Sequence, residues 1–242
     1  HGMDTPAARK ASAKAMYLTI ALFAFILLSP GFGAHHRGQI IMHVCFTAIL
    51  LAALWALDQS WRRVVATIAG LPWIATFWID MFFAVSAWVY LLGTVSMVVF
   101  FIFLIEQMIR SIVDRSRVTQ DTIYQAVSAY LMLGVMWMGF YLIVYRVNPE
   151  AFSVAGTPGL GSADAAWKHL LYLSYATLTT LGYGDITPVA PMARALAMVE
   201  ATVGPLYLAV LLARLVGRFS RQEIEEEIEE EINEKFEEAS QA

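Results

Sequence analysis

Residues 177–188 read Thr-Leu-Thr-Thr-Leu-Gly-Tyr-Gly-Asp-Ile-Thr-Pro. Gly182 and Gly184 flank Tyr183, and glycine visits positive φ at low cost because it has no Cβ. The stretch therefore suits a backbone that turns its peptide groups in ways ordinary residues resist. Just before it, Trp167 to Thr179 (WKHLLYLSYATLT) predicts a helix of thirteen residues, roughly 20 Å long and too short to cross a bilayer. Just after it, residues 192–217 (MARALAMVEATVGPLYLAVLLARLVG) are long and apolar enough to do so. Irregular backbone at membrane depth is tolerated only where protein or water covers it.

The rest of the chain fits that setting. Of 242 residues, 59% are hydrophobic, and the mean hydropathy is +0.60. Soluble domains sit near about 45–50% apolar, so the composition indicates an integral membrane protein. Apolar runs fall at 15–29, 39–57, 64–79, 81–105, 123–145 and 192–217. The stretch from 64 to 105 is too long for one span, and Asp80 is expected to divide it into a helical pair. Six spans follow, with a re-entrant segment between the fifth and sixth. Residues 148–164, rich in Gly, Pro, Ser and Ala, read as an external loop. Cys45 is the sole cysteine, which excludes an intrachain disulfide and a cysteine-based metal site. His1-Gly2 before Met3 read as a tag remnant, and the first apolar run is expected to stay as a membrane helix.

The formal charge of −4 hides two opposite parts. Residues 223–238 hold ten of the twenty acids and one base, Lys235, leaving fifteen bases against ten acids elsewhere. With both termini cytoplasmic, twelve Lys and Arg face inward (Arg9, Lys10, Lys14, Arg62, Arg63, Arg110, Arg115, Arg117, Arg214, Arg218, Arg221 and Lys235). Four face outward (Arg37, Arg146, Lys168 and Arg194), which favours this orientation in the cell inner membrane. Ile224, Ile228, Ile232 and Phe236 form one apolar stripe on an acidic helix expected to continue from span six. Heptads are missing, so a left-handed coiled coil is not indicated. The tail is either a field that concentrates cations or a plain solvated helix.

Thr180-Leu181-Gly182-Tyr183-Gly184-Asp185 resembles the selectivity filter of the tetrameric potassium channels, and residues 123–217 resemble their pore domain. The resemblance implies an all-α membrane protein: six transmembrane helices plus a re-entrant pore helix and filter loop, forming a homotetrameric potassium-channel pore. It implies that carbonyl oxygens of Thr180, Leu181, Gly182 and Tyr183, with Gly184, replace the hydration shell of permeant K+. One filter sequence per chain then requires four copies. Thr179, Asp185, Trp167 and Glu200 are the implied filter supports. In some members of the family the residue matching Asp185 pairs with a pore-helix carboxylate; Ala176 stands at that position here, leaving Tyr172, Tyr175 or Trp167 as partners. Leu181 replaces the commoner valine.

Gly204 stands where the family often has a hinge glycine, and Pro205 removes a helix hydrogen bond beside it. The pair is either a gating hinge or a static kink. Leu208, Leu212 and Val216 recur every four residues, as a hydrophobic constriction or as ordinary packing. Glu200, an ionisable group at mid-membrane, marks function and is expected to bond the pore helix or carry a proton.

The expected organisation is a cytoplasmic N-terminus (1–14), a four-helix peripheral domain (15–105), an amphipathic cytoplasmic linker (106–122), the pore domain (123–217) and the acidic helix (218–242). Residues 81–105 contain no Lys or Arg. One charge crossing the field supplies only ~2.3 kcal/mol per 100 mV, so steep voltage gating is not expected. His35, His36 and Arg37 form a polar cluster in the first outer loop, and His43 and His169 show no evident partners. No catalytic constellation, cofactor requirement, nucleic-acid site or small-molecule substrate is indicated; the partners are the lipid bilayer and further copies of the chain. The alternatives are a weakly selective cation channel on the same scaffold, a membrane subunit of a potassium uptake system, and a non-conducting scaffold.

Overall fold

The computed structural model describes residues 6–29, 36–57, 60–83, 85–114, 118–161 and 163–241. The periodicity of the apolar runs becomes seven helices: α1 (Pro6–Leu28), α2 (His36–Ala56), α3 (Ser60–Phe82), α4 (Ala87–Asp114), α5 (Gln120–Val147), α6 (Ala163–Leu178) and α7 (Pro191–Gln241). By length and composition, α3, α4, α5 and the Pro191–Arg221 part of α7 can cross a membrane. The apolar stretches of α1 and α2, Ala13–Leu28 and His43–Trp55, are shorter. The protein is thus an all-α membrane protein with four helices of spanning length among the described residues.

Two expected boundaries move. Asp80 lies inside the last turn of α3, which ends at Phe82, and α4 begins at Ala87. Helix α4 runs on through Asp114, so most of the stretch expected as a separate linker over 106–122 extends α4. The reason is packing: Gln107, Met108 and Ile112 are buried, and an (i, i+4) ion pair joins Glu106 to Arg110 on the outer face. Arg115 and Arg117 lie outside the described residues, as do His35 and the side chains of His36, Arg37 and Phe236.

Helix α5 is the hub, packing against α1, α4, α6 and α7. In its apolar window 72% of residues are buried, against 11% for α7. Small residues allow the closest approaches. A Cβ at Gly139 would meet Met97 and Val98 of α4 at 2.6 and 2.7 Å, and one at Gly134 would meet the Tyr175 ring at 2.5 Å. A polar contact also ties α1 to α5, with Thr19 Oγ1 2.8 Å from Ser128 Oγ.

The loop between α5 and α6 carries structure that the sequence did not suggest. A single 3₁₀ turn (Pro149–Ala151) leads into β1 (Phe152–Val154) and β2 (Thr157–Pro158). After the glycine-rich loop, β3 (Ile186–Pro188) returns to this hairpin, giving the sheet order β2-β1-β3. β1 and β3 are antiparallel, with Phe152 opposite Pro188 and Val154 opposite Ile186. Phe152 is fully buried against the Tyr141 ring, which anchors the sheet to α5.

Candidate functional site

The loop Thr179–Asp185 leaves the C-terminal end of α6, where four carbonyls lack intrahelical donors. The loop itself supplies them. Thr179 N bonds Tyr175 O (3.0 Å), Thr180 N bonds Thr177 O (3.0 Å), and Leu181 N and Gly182 N both bond Ala176 O (2.8 and 3.1 Å). The fourth carbonyl, Leu178 O, accepts the Tyr130 hydroxyl of α5 at 3.2 Å.

Two consecutive amides on one acceptor must point the same way. This is the arrangement made by alternating left- and right-handed residues, which turns successive N–H groups to one side. The dihedrals agree: φ is positive at Thr180 (60°), Gly182 (51°) and Gly184 (78°), while Leu181 and Tyr183 have negative φ. In a trans peptide C=O and N–H point in opposite directions, and no cis bond occurs among the described residues. The carbonyls of Thr180 and Leu181 therefore face away from α6. Among the described residues, the carbonyls of Thr180, Leu181, Gly182, Tyr183 and Gly184 accept no hydrogen bond. At 182 and 184 the positive φ calls for glycine. At Thr180 the same region costs a β-branched residue about 1–3 kcal/mol, a strain typical of functional backbone.

The outer end of the loop is clamped. Ala155 N donates to Asp185 O (2.7 Å), and the Ser153 and Thr187 hydroxyls lie 2.8 Å apart. Of the three partners considered for Asp185, Tyr172 takes the role, its hydroxyl donating to Oδ1 at 3.1 Å. Tyr175 instead bonds Leu131 O of α5 (2.6 Å). Trp167 stands apart from the loop, near the other end of α6, stacked on Phe25 of α1 at 6.4 Å. The Thr179 hydroxyl folds back onto Tyr175 O (2.7 Å).

Behind α6, Glu200 of α7 is fully buried. Its Oε1 accepts from Ser174 Oγ at 2.6 Å and its Oε2 from the Tyr141 hydroxyl, while Ser174 Oγ also lies 2.7 Å from Gly134 O. One carboxyl group thus joins α7, α6 and α5. A turn further along, a Cβ at Gly204 would fall 2.1 Å from Leu178 O, so α7 touches the very end of α6 there. Pro205 lies within α7, which stays helical through it. Leu208, Leu212 and Val216 are exposed in the single chain, as are Leu181 and Tyr183. Arg218 reaches α4, donating from its two Nη atoms to Ile112 O (3.0 Å) and Val113 O (2.6 Å).

Sequence reasoning named Tyr172 but missed Ser174 and Tyr141 as partners of Glu200, and Arg218 as the contact to α4. The buried Glu200 predicts donors, but their identity depends on how α5, α6 and α7 register. His43, for which the sequence showed no partner, lies 2.8 Å from Phe77 O through Nε2. No cluster of metal-ligating side chains occurs among the described residues.

The family model described as "Ion channel" matches residues 132–221, a stretch running from mid-α5 through the loop, Glu200, Gly204 and Arg218. Protein LctB of Geobacillus stearothermophilus is 33% identical over 103 residues, covering 41% of this chain and 74% of that protein. The inward rectifier potassium channel Kirbac3.1 of Paramagnetospirillum magnetotacticum is 30% identical over 83 residues, 34% of this chain and 28% of its own length. The two pore potassium channel c of Oryza sativa subsp. japonica is 34% identical over 88 residues, 36% of this chain and 17% of its own.

Proposed function

The chain belongs to the potassium channel family of ion channels, and from that premise we propose that it conducts K+ passively through the carbonyls of Thr180, Leu181, Gly182 and Tyr183, with Gly184 closing the filter. The supporting observation is the paired donation of Leu181 N and Gly182 N to Ala176 O. It spends the loop's amides on the pore helix and leaves unbonded carbonyls on the opposite side. A dehydrated cation needs such oxygens, and rings of them from several chains replace its water shell.

Four copies assemble in the bilayer, because one chain supplies one filter and the apolar part of α7 is nearly bare in isolation. Both termini are cytoplasmic in the cell inner membrane, and α1 and α2 complete six spans. Residues 1–14 form the cytoplasmic N-terminus, 15–105 the peripheral domain, 106–122 the link to the pore, 123–217 the pore domain and 218–242 an acidic cytoplasmic helix. Thr179, Asp185 and Glu200 brace the filter; Trp167 holds α6 against α1. Gly204 and Pro205 set the bend of α7, and Leu208, Leu212 and Val216 line the cytoplasmic constriction. The permeant ion is cargo, and no cofactor is assigned.

Purified protein in liposomes tests this directly. Rubidium uptake that barium blocks supports a potassium pore. Absence of flux favours a scaffold, and equal sodium and rubidium uptake favours a weakly selective channel.

A further inference from the structure

A cavity of about 270 Å³ lies away from the pore, where α2 and α4 begin, α3 and α5 end, and Trp167 of α6 closes one side. Small-molecule sites start at about 300 Å³, so this one takes a small ligand or part of a larger one. Its floor is apolar: Phe46 and Trp73 are buried and meet edge to face at 5.3 Å. One wall is rigid, because the buried His43 ring stacks on Phe77 at 3.8 Å. The rim holds Asp80 and Arg146.

These two charges line one cavity without pairing to each other. The Arg146 guanidinium is fixed over the Tyr90 ring, 3.7 Å from its centroid. Its Nε is buried and has no hydrogen-bond partner. An orphaned buried donor is costly, the more so when it is charged. Asp80 is exposed, and Oδ1 accepts Val85 N at 3.5 Å, the long limit of a hydrogen bond.

A ligand bearing an anion alone would set a second negative charge beside Asp80. One bearing a cation alone would set a second positive charge beside Arg146. Like charges brought together at a site discriminate strongly against such ligands. We propose that this cavity binds a zwitterionic amphiphile: its anionic group pairs with the Arg146 guanidinium, its ammonium faces Asp80, and its apolar part rests on Phe46 and Trp73. An ethanolamine phospholipid and a soluble amino acid with a large apolar side chain share this chemistry. Arginine suits the anion because a guanidinium edge grips two oxygens at once.

The test uses the purified full chain and thermal unfolding. Probes are dioleoyl-phosphatidylethanolamine, dioleoyl-phosphatidylglycerol and L-tryptophan, applied to the natural sequence and to Asp80→Asn, Arg146→Gln and the cavity-filling Thr94→Phe. A zwitterion that binds the folded state raises the melting temperature, and the rise grows with the logarithm of its concentration above Kd. The expected result is a rise with phosphatidylethanolamine or tryptophan, a weaker or absent rise with phosphatidylglycerol, and at least a tenfold higher probe concentration needed for the same rise in the variants. A response to the lipid alone identifies a membrane ligand; a response to tryptophan alone identifies a soluble one. Equal responses to the two phospholipids without one to tryptophan, no response to either zwitterion, or variants that respond like the natural chain would overturn the proposal. Photo-crosslinking of a diazirine analogue of the responding zwitterion to the natural chain removes any dependence on variant folding. Labels on α3 and α4 around Trp73 and Tyr90 support the site, and labels confined elsewhere refute it.

Discussion

Gly204 of α7 sits directly against the carbonyl oxygen of Leu178, so closely that a Cβ there would lie 2.1 Å from it. The obstacle is backbone at the end of α6, and that same oxygen accepts the Tyr130 hydroxyl. It cannot swing aside as a side chain would. A Gly204→Ala substitution is therefore expected to push α7 off the pore helix and cost about 1–3 kcal/mol, as overpacking does. Thermal dissociation of the purified assembly measures this, and an unchanged midpoint would show that the contact is not maintained.

Glu200 holds Ser174 and Tyr141 together in a space without water access. Glutamine keeps the shape and an acceptor oxygen; leucine keeps the size and loses every bond. Glu200→Leu is expected to destabilise by about 1–3 kcal/mol, because the Tyr141 hydroxyl loses its partner. Glu200→Gln is expected to lose less than half of that. Comparing their melting points with the natural chain, alongside rubidium flux, separates a bracing role from simple space filling. Equal losses in the two variants would argue against bracing.

Arg218 places a cation on the last carbonyls of α4, at the negative end of that helix dipole. This contact joins the peripheral helices to the cytoplasmic part of α7. Each such interaction contributes about 0.3–1 kcal/mol, enough to shift a two-state equilibrium roughly two- to fivefold. Arg218→Ala is expected to change open probability by that factor in single-channel records while ion selectivity stays fixed. Unchanged open probability would remove the proposed coupling.

Across residues 81–114, Arg110 is the one basic residue, and it pairs with Glu106 four residues earlier. Steep voltage dependence needs several charges moving through the field, each worth ~2.3 kcal/mol per 100 mV. Steady-state current in planar bilayers is therefore expected to vary gently between −100 and +100 mV (about a tenfold span of open probability at most). Sigmoidal activation steeper than this would contradict the account.

The membrane class and the pore region were legible because hydropathy and the Gly-Tyr-Gly spacing are local signals. Helix α6 was expected over 167–179 and spans 163–178. The clamp of β1 on β3 was not legible, since strands of three residues carry no periodicity to read. The boundary at Asp80 slipped for a related reason: a carboxylate at a helix end can face water without breaking the helix, and α3 runs to Phe82. Gly204 drew attention as a flexible residue, yet its position demands the absence of a side chain, which only the approach of α7 to α6 reveals. Trp167 is a candidate partner of Asp185 in the sequence, but five residues of helix set it apart from Tyr172, the residue that meets Asp185. The cavity beside Arg146 joins five helices and had no linear signature.

The central claim is that backbone oxygens from residue 180 onward select a dehydrated monovalent cation. The reversal potential under bi-ionic conditions, with potassium on one side of a bilayer and sodium on the other, tests it most directly. The account predicts a reversal potential shifted by more than about 58 mV in the direction of potassium selectivity, a permeability ratio above roughly tenfold at ~59 mV per decade for a monovalent ion. A reversal potential at zero would contradict it.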